Sequence, residues 1–176
     1  MRKVIQATAL TVGLILTQSC QKDTTFVIAE DSIGPLTQST PVSELETVFA
    51  NDSIVKESET AKKIEIFEKG GKHLLSLTVN SDSIPTIENV RIMDARYKSE
   101  KGISLMSTFK DIEDKYGIKK IVTTLNSIVV FPKGSNLYFT IDKAALPDNL
   151  RYSTSTIEAV QVPDSAELKY LMIGWE

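Results

Sequence analysis

The sequence predicts an α+β fold in which antiparallel sheet carries two short helices packed on it. Apolar residues recur every three or four positions in two segments, 41–50 and 109–116, which is the spacing of an amphipathic helix. Elsewhere, short apolar or alternating runs are separated by turn residues, as in strands joined in an antiparallel meander. A hydrophobic fraction of 41% is enough for one ordinary core.

The first element is an N-terminal segment with the layout of a secretory signal peptide. Arg2 and Lys3 precede a mostly apolar run from Val4 to Leu16. This run is shorter than the roughly 20 apolar residues that a membrane-spanning helix needs. A basic start, a short apolar run and a small residue at its end are typical of a segment that is removed. We therefore predict that residues 1–19 are a signal peptide.

The end of this segment resembles the processing site of bacterial lipoproteins. Ser19 stands directly before Cys20, the only cysteine, and Leu16 supplies an aliphatic residue a few positions earlier. The resemblance implies that Cys20 is the mature N-terminus and the lipid attachment site. Three acyl chains give stable anchoring, whereas one chain gives only marginal membrane binding. The alternative is a reactive or intermolecular thiol, because a lone cysteine cannot form an internal disulfide.

Residues 20–25 are predicted to form a lipidated tether, followed by a single α+β domain over residues 26–176. Gln21 occupies the position at which enteric lipoproteins of the inner membrane carry Asp. The run Gln21-Lys22-Asp23 also resembles a short surface-export signal of some Gram-negative lipoproteins. Together these resemblances imply an outer-membrane location, on either the periplasmic or the cell-surface face, with the N-terminal lipid as the membrane contact.

The charge of the mature chain argues against a nucleic-acid partner. Removing residues 1–19 takes away two basic residues and lowers the formal net charge from −3 by two, to −5. The remaining lysines are scattered along the sequence and form no basic patch of the kind that nucleic-acid binding requires.

The first half of the domain begins with a short apolar run, Phe26–Ile28, and continues with a predicted helix. Thr40 is a favoured N-cap, Pro41 is favoured at the first helical position, and Asn51 tolerates the left-handed conformation that ends a helix. The predicted strands that follow are 53–57, 63–68, 73–79 and 87–93.

The second half begins with a helix that has stronger end signals. Thr108 is the predicted N-cap, Asp111 completes a capping box, and Gly117 ends the helix. A helical turn is predicted over 144–150. The predicted strands are 118–124, 127–131, 137–141, 157–162 and 167–175. The last of these has apolar residues on both faces, which is typical of a strand buried on both sides.

The entries to the two helices have the same spacing. Gly34 and Gly102 each lie six residues before the capping threonine, and a run of strands is predicted after each helix. A tandem helix-plus-three-strand pseudo-repeat, with halves 26–97 and 98–176, would explain this similarity. Generic capping rules would also produce it in unrelated helices, so both explanations remain open.

The second helix entry carries a family resemblance. The residues that carry it are Gly102, Ser107, Thr108, Asp111, Tyr116 and Gly117. They are similar to a signature of small bacterial envelope lipoproteins, although Met106 stands where that signature has Gly. Some of those lipoproteins are outer-membrane assembly factors, and some share the fold of β-lactamase inhibitory protein. Segment 33–36 also resembles the opening of an uncharacterised enteric lipoprotein family. The motif is a helix entry, so it implies a fold and no active site.

No catalytic or metal-binding constellation can be assembled from the sequence. His73 is the only histidine, and Cys20 is assigned to lipid, so neither a catalytic triad nor a zinc site has enough members. Asp111, Glu113 and Asp114 supply carboxylates, but they lack the spacing of a calcium loop and do not share one helix face. We predict no catalytic residue, no metal and no cofactor, and we predict that His73 is a surface or strand-edge residue.

Three function classes follow from these observations. The first is a non-enzymatic, membrane-anchored lipoprotein that binds a protein or an envelope component. The second is an inhibitor-type binder that blocks a secreted hydrolase by inserting the turn-rich loop Pro132–Asn136. The third is a hydrolase that uses two of the 23 acidic residues as paired carboxylates.

Overall fold

The computed structural model describes residues 23–56, 58 and 62–175. The predicted signal peptide and Cys20 lie outside the described residues. The strands are β1 (Val27–Ile28), β2 (Ser32–Ile33), β3 (Leu36–Thr37), β4 (Asp52–Lys56), β5 (Lys63–Glu68), β6 (His73–Val79), β7 (Ile87–Ile92), β8 (Lys98–Ser99), β9 (Ile118–Thr123), β10 (Ser127–Pro132), β11 (Leu137–Asp142) and β12 (Tyr170–Gly174). The α-helices are α1 (Leu45–Val48), α2 (Phe109–Tyr116) and α3 (Asp148–Arg151), and 3-10 turns cover Val42–Glu44, Lys143–Ala145 and Ala159–Gln161.

One eight-stranded antiparallel sheet dominates the molecule, and it confirms the predicted α+β class. Its strand order is β4-β5-β6-β7-β12-β11-β10-β9. Two four-stranded meanders therefore meet through their last strands, with Leu171 of β12 opposite Ile92 of β7. A small second sheet has the order β3-β2-β1-β8 and contains one parallel pair, β1 with β8. No helix in the described part of the chain is long and apolar enough to cross a membrane.

The large sheet has two different faces because its side chains alternate along each strand. In β12, Leu171 and Ile173 are buried, whereas Tyr170 and Met172 are half-buried. The buried face, which we call the inner face, joins the small sheet and the apolar sides of α1 and α2 in one core cluster. We call the opposite face, which carries Tyr170 and Met172, the open face.

Helix α2 has the ends that the sequence predicts. Thr108 accepts a hydrogen bond from the N–H of Asp111 at 3.4 Å, and the Asp111 carboxylate accepts one from the N–H of Thr108 at 2.8 Å. Gly117 ends the helix at a φ of 68°, a conformation that favours glycine. Phe109 and Ile112 are buried, so this helix packs its predicted apolar face into the core.

The predicted N-cap of the first helix is wrong. Thr40 does not cap a helix, because its hydroxyl accepts a hydrogen bond from the N–H of Thr37 at 3.1 Å and closes the preceding turn. The N–H of Val42, in the first helical turn, donates instead to the carbonyl of Pro85. A neighbouring segment thus satisfies the backbone group that a cap would have taken.

The first helix is also shorter than predicted. One 3-10 turn and the four residues of α1 replace the predicted segment, and Asn51 does not adopt a left-handed conformation. The helix stops at Phe49, whose carbonyl accepts from the N–H of Asp52 as β4 begins. Leu45 and Phe49 are nevertheless buried, so the apolar stripe is positioned as its spacing indicates.

Two further expectations are corrected. The predicted strand over 157–162 is a 3-10 turn, in which the side chains of Glu158 and Gln161 bond each other's backbone N–H. Pro163 follows, and the place beside β11 in the sheet is taken by β12. The expectation of three strands after each helix is wrong as well, because four strands of the large sheet, β4 to β7 and β9 to β12, follow α1 and α2 respectively.

Candidate functional site

One row of side chains crosses all eight strands on the open face. From the β4 edge to the β9 edge it consists of Val55, Glu65, Ser76, Arg91, Met172, Tyr138, Phe131 and Lys120. All of them except Ser76 remain at least partly exposed. A neighbouring row contains Val122, Val129, Thr140 and Tyr170. The sheet register therefore gathers residues from distant parts of the sequence on one surface.

The half of this surface formed by β9 to β12 carries two stacked aromatic rings with one cation beside them. Phe131 and Tyr138 stack with ring centroids 5.8 Å apart, and the Lys120 ammonium lies 4.6 Å from the Phe131 centroid. The Tyr138 hydroxyl accepts a hydrogen bond from Asn89. Burial raises the pKa of Tyr138, and the hydrogen bond from Asn89 acts in the opposite direction. Tyr138 therefore stays neutral and presents a fixed ring edge.

Arg91 lies near the centre of the open face, where the two meanders meet. Its guanidinium carbon is 3.6 Å from the centroid of the Tyr170 ring, within the range of a cation–π contact. Its Nε atom is buried and has no hydrogen-bond partner among the described residues. A buried donor without a partner costs about 1–3 kcal/mol. In the described part of the chain no carboxylate forms an ion pair with Arg91.

Glu65 is the acidic residue of the same row, and its negative charge is already compensated by neighbouring side chains. Glu65 pairs with Lys63 at 2.6 Å and with the Nε2 atom of His73 at 2.9 Å. Burial raises the pKa of Glu65, but hydrogen bonds from Lys63, Ser76 and His73 outweigh it and the pKa is lowered overall. The His73 ring also stacks on Phe67, with centroids 4.4 Å apart. The surface therefore has a compensated acid on one side and an uncompensated cation at its centre.

His73 is half-buried near one edge of the open face, and its contacts to Glu65 and Phe67 account for its position. The acidic cluster on α2 is used locally, because Asp111 caps the helix while Glu113 and Asp114 pair with Lys110. Among the residues that the structure describes, no group of three or more His, Cys, Asp or Glu side chains is arranged to hold a metal ion.

The loop Pro132–Asn136 joins β10 to β11 and is tied to its surroundings. The N–H of Lys133 donates to the carbonyl of Gly117 at 3.1 Å, and the N–H of Asn136 donates to the Glu30 carboxylate at 3.2 Å. The loop is thus a short turn held at both ends, with the side chains of Lys133 and Asn136 exposed.

A polar cleft of about 470 Å³ lies beside Trp175, at one end of the large sheet. The Asn80 side chain organises its wall by donating to Asp82 at 2.7 Å and to Thr86 at 2.9 Å. The indole N–H of Trp175 donates to the Glu30 carbonyl at 3.0 Å. These polar groups already form hydrogen bonds to neighbouring protein groups, so they are less available to a ligand than the side chains of the open face.

No sequence motif marks Arg91, Tyr138 or Tyr170 as site residues. Their signal is the strand alternation itself, which places polar residues between the buried ones of β7, β11 and β12. Arg91 and Tyr170 are 79 positions apart in the chain, and only the β7–β12 pairing brings them together.

No protein-family model and no curated protein matches the sequence. Among solved structures, the chain is similar to the uncharacterized protein yfeY from Escherichia coli, with a TM-score of 0.55 and 14% sequence identity. The similarity covers 83% of this chain and 97% of that chain. At this level of identity it concerns the fold alone.

Proposed function

We propose that this protein is a non-enzymatic lipoprotein of the outer membrane that binds a protein or another envelope component through the open face of its large sheet. The observation that carries the proposal is the row of partly exposed aromatic, methionine and cationic side chains that includes Arg91, Met172 and Tyr138. Tyr, Phe, Met and Arg are the residues enriched in protein interfaces, and Tyr and Arg are frequent in their energetic centres.

We also infer that the large sheet arose from a duplicated unit of one helix and four strands. Support comes from the matching order α1-β4-β5-β6-β7 and α2-β9-β10-β11-β12, with the final strands β7 and β12 paired. Against it, Gly34 lies in the β2–β3 turn, whereas Gly102 lies in a turn after β8. On this inference both units contribute to the binding face, since Arg91 belongs to the first and Tyr170 to the second.

The anchoring part of the proposal depends on Cys20, whose setting in the sequence resembles a lipoprotein processing site. Cys20→Ser removes the thiol that would carry the lipid, so we expect soluble periplasmic protein or uncleaved precursor. Fractionation of cells and the mass of the mature N-terminus measure this. A Ser variant that is processed and fractionates with membranes like the parent would overturn the anchoring.

Site-specific photocrosslinking in cells tests the binding face. A photoreactive phenylalanine analogue at Val55 or Val122, which are 51% and 43% exposed on the open face, is expected to crosslink a partner. Val160 provides a matched control, because it is 94% exposed on a 3-10 turn outside the large sheet.

The pattern of crosslinks decides between the function classes. Crosslinks from both face positions and none from Val160 support the proposal. Equal crosslinking from all three positions would indicate non-specific contact and contradict it. A crosslink from Lys133, without one from the open face, would instead favour the inhibitor-type binder that uses the loop Pro132–Asn136.

A further inference from the structure

We propose that the open face receives a protein segment that bears a carboxylate, and that Arg91 binds this carboxylate. The inference rests on the proposed binding function and adds the chemistry of the partner. Its starting point is the juxtaposition of an uncompensated guanidinium with the aromatic surface formed by Tyr170, Tyr138 and Phe131.

The charges on the face explain why an anion is expected at Arg91. Glu65 already has Lys63 and His73 as partners, and Lys169 is paired with Asp142 at 2.7 Å. Arg91 alone stands in the middle of the sheet without an opposite charge from the described residues. The chain carries a formal net charge of −3, so this cation is not part of a generally basic surface.

The contact between Arg91 and Tyr170 prepares the guanidinium for binding. Stacking on the ring at 3.6 Å restricts the long side chain before a ligand arrives, so less conformational entropy is lost on binding. A planar guanidinium also matches a carboxylate with two parallel hydrogen bonds, which a lysine ammonium cannot reproduce. Arg91 is half-buried, so such an ion pair would be only partly screened by water.

The surroundings of Arg91 favour a protein over an anionic glycan or lipid. Met172, Tyr138 and Phe131 form a continuous, partly exposed apolar strip along the row beside it. Such a strip suits the apolar side chains that flank an acidic residue in a folded partner. A polyanionic ligand would instead require several cations, whereas the row contains only Arg91 and the peripheral Lys120.

A zero-length crosslink tests the carboxylate directly. Arg91→Lys keeps a cation at the position and introduces an amine that a carbodiimide couples to a carboxylate in contact with it. We expect treatment of intact envelopes containing this full-length variant to yield an amide bond between position 91 and an Asp or Glu of another protein, identified by mass spectrometry. Arg151→Lys is the matched control, because it introduces an exposed amine on α3, outside the sheet.

A second experiment tests the effect of removing the guanidinium of Arg91. In the Val122 photocrosslinking strain, Arg91→Gln is expected to lower the crosslink yield at least tenfold, while Arg91→Lys retains part of it. An unchanged urea-unfolding midpoint of the purified full chain shows that the Gln variant is folded. If Arg91→Gln does not fold, the carbodiimide product of Arg91→Lys decides the question by itself.

The possible failures are distinguishable. If Val122 still crosslinks a protein but Arg91→Gln leaves the yield unchanged, the role of Arg91 is wrong and the binding face stands. Coupling of position 91 to a sugar acid, or no coupling beyond that of Arg151→Lys, would equally overturn the carboxylate-bearing protein. If neither Val55 nor Val122 crosslinks anything, the proposed function itself fails.

Discussion

At the scale of single residues, Asp94 shows how this fold uses a buried charge. Its carboxylate accepts hydrogen bonds from the backbone N–H of Arg96 at 2.9 Å and from the Arg96 guanidinium at 2.7 and 2.9 Å, and it pairs with Lys72 at 3.1 Å. Burial raises its pKa, but the bonds from Arg96 and Lys72 outweigh burial and lower the pKa to about 2. Asp94 therefore remains charged and holds the turn that leads from β7 into β8.

The lowered pKa of Asp94 makes its stabilising effect depend on pH in a defined direction. The effect is complete above the ordinary value of 3.8 and is lost as the pH falls towards about 2. Asp94→Asn is expected to lower the free energy of unfolding at pH 7 by about 2 kcal/mol, and by progressively less below pH 3.8. Urea unfolding at several pH values measures this, with the exposed Asp164→Asn as control. An equal loss at pH 7 and pH 2 would contradict the assignment.

His73 is expected to have a structural role without any part in binding or catalysis. His73→Ala removes one hydrogen-bond donor from Glu65, so the pKa of Glu65 should rise towards its ordinary value. NMR titration of the Glu65 carboxylate measures the change, and photocrosslinking from Val122 should be retained. A folded His73→Ala variant that no longer crosslinks its partner would show that the ring has a role in binding.

At the scale of elements, the two predicted N-caps should respond differently to mutation. Thr108→Ala removes a capping bond of α2 and is expected to lower the free energy of unfolding by about 1 kcal/mol, while Thr108→Ser retains most of it. Amide exchange should quicken in the first turn of α2. Thr40→Ala should instead quicken exchange at Thr37, whose N–H it leaves without an acceptor. Faster exchange of the first α1 amides alone would contradict this reading.

The elements that were predictable are those whose signals are local. Helix α2 carries its cap, its capping-box partner and its end glycine within ten residues, and these agree with its apolar face. The segment after Thr40 has equally good composition, yet a carbonyl from Pro85, far along the chain, takes the first helical N–H. The segment predicted as a strand before Pro163 likewise has no free place in the sheet. Both outcomes depend on contacts between segments that are distant in the chain. A single sequence does not reveal such contacts.

At the scale of the whole molecule, the alternating patterns of β7 and β12 could be predicted from the sequence, but the pairing of these two strands could not. This pairing is what joins the two meanders and creates the candidate site around Arg91. The apolar pattern of segment 167–175 indicates a strand buried on both faces, but only the face with Leu171 and Ile173 is buried, whereas Met172 on the other face is half-buried. The sequence could therefore predict most strands and one helix, but not the surface that they form together.

The continuous inner core predicts that the two meanders unfold together. Ile173 is 1% exposed and lies opposite Val90 of β7 and Leu137 of β11. Ile173→Ala is expected to cost about 2–5 kcal/mol and to reduce amide protection in β6 and β10 by similar factors. Hydrogen exchange measures both strands in one experiment. Loss of protection in one meander only would mean that the halves are separate cooperative units.

If Cys20 carries the proposed lipid, the early start of β1 limits how far the domain can lie from the membrane. Val27 lies seven positions after Cys20, and a fully extended chain covers at most about 3.6 Å per residue. A lipid on Cys20 would therefore hold the first strand within about 25 Å of the bilayer, less than the diameter of a domain whose radius of gyration is roughly 15 Å. On the proposed anchoring, the domain would stay at the membrane surface. Its partner would then have to come to that surface, where the short tether would raise the effective concentration of the domain.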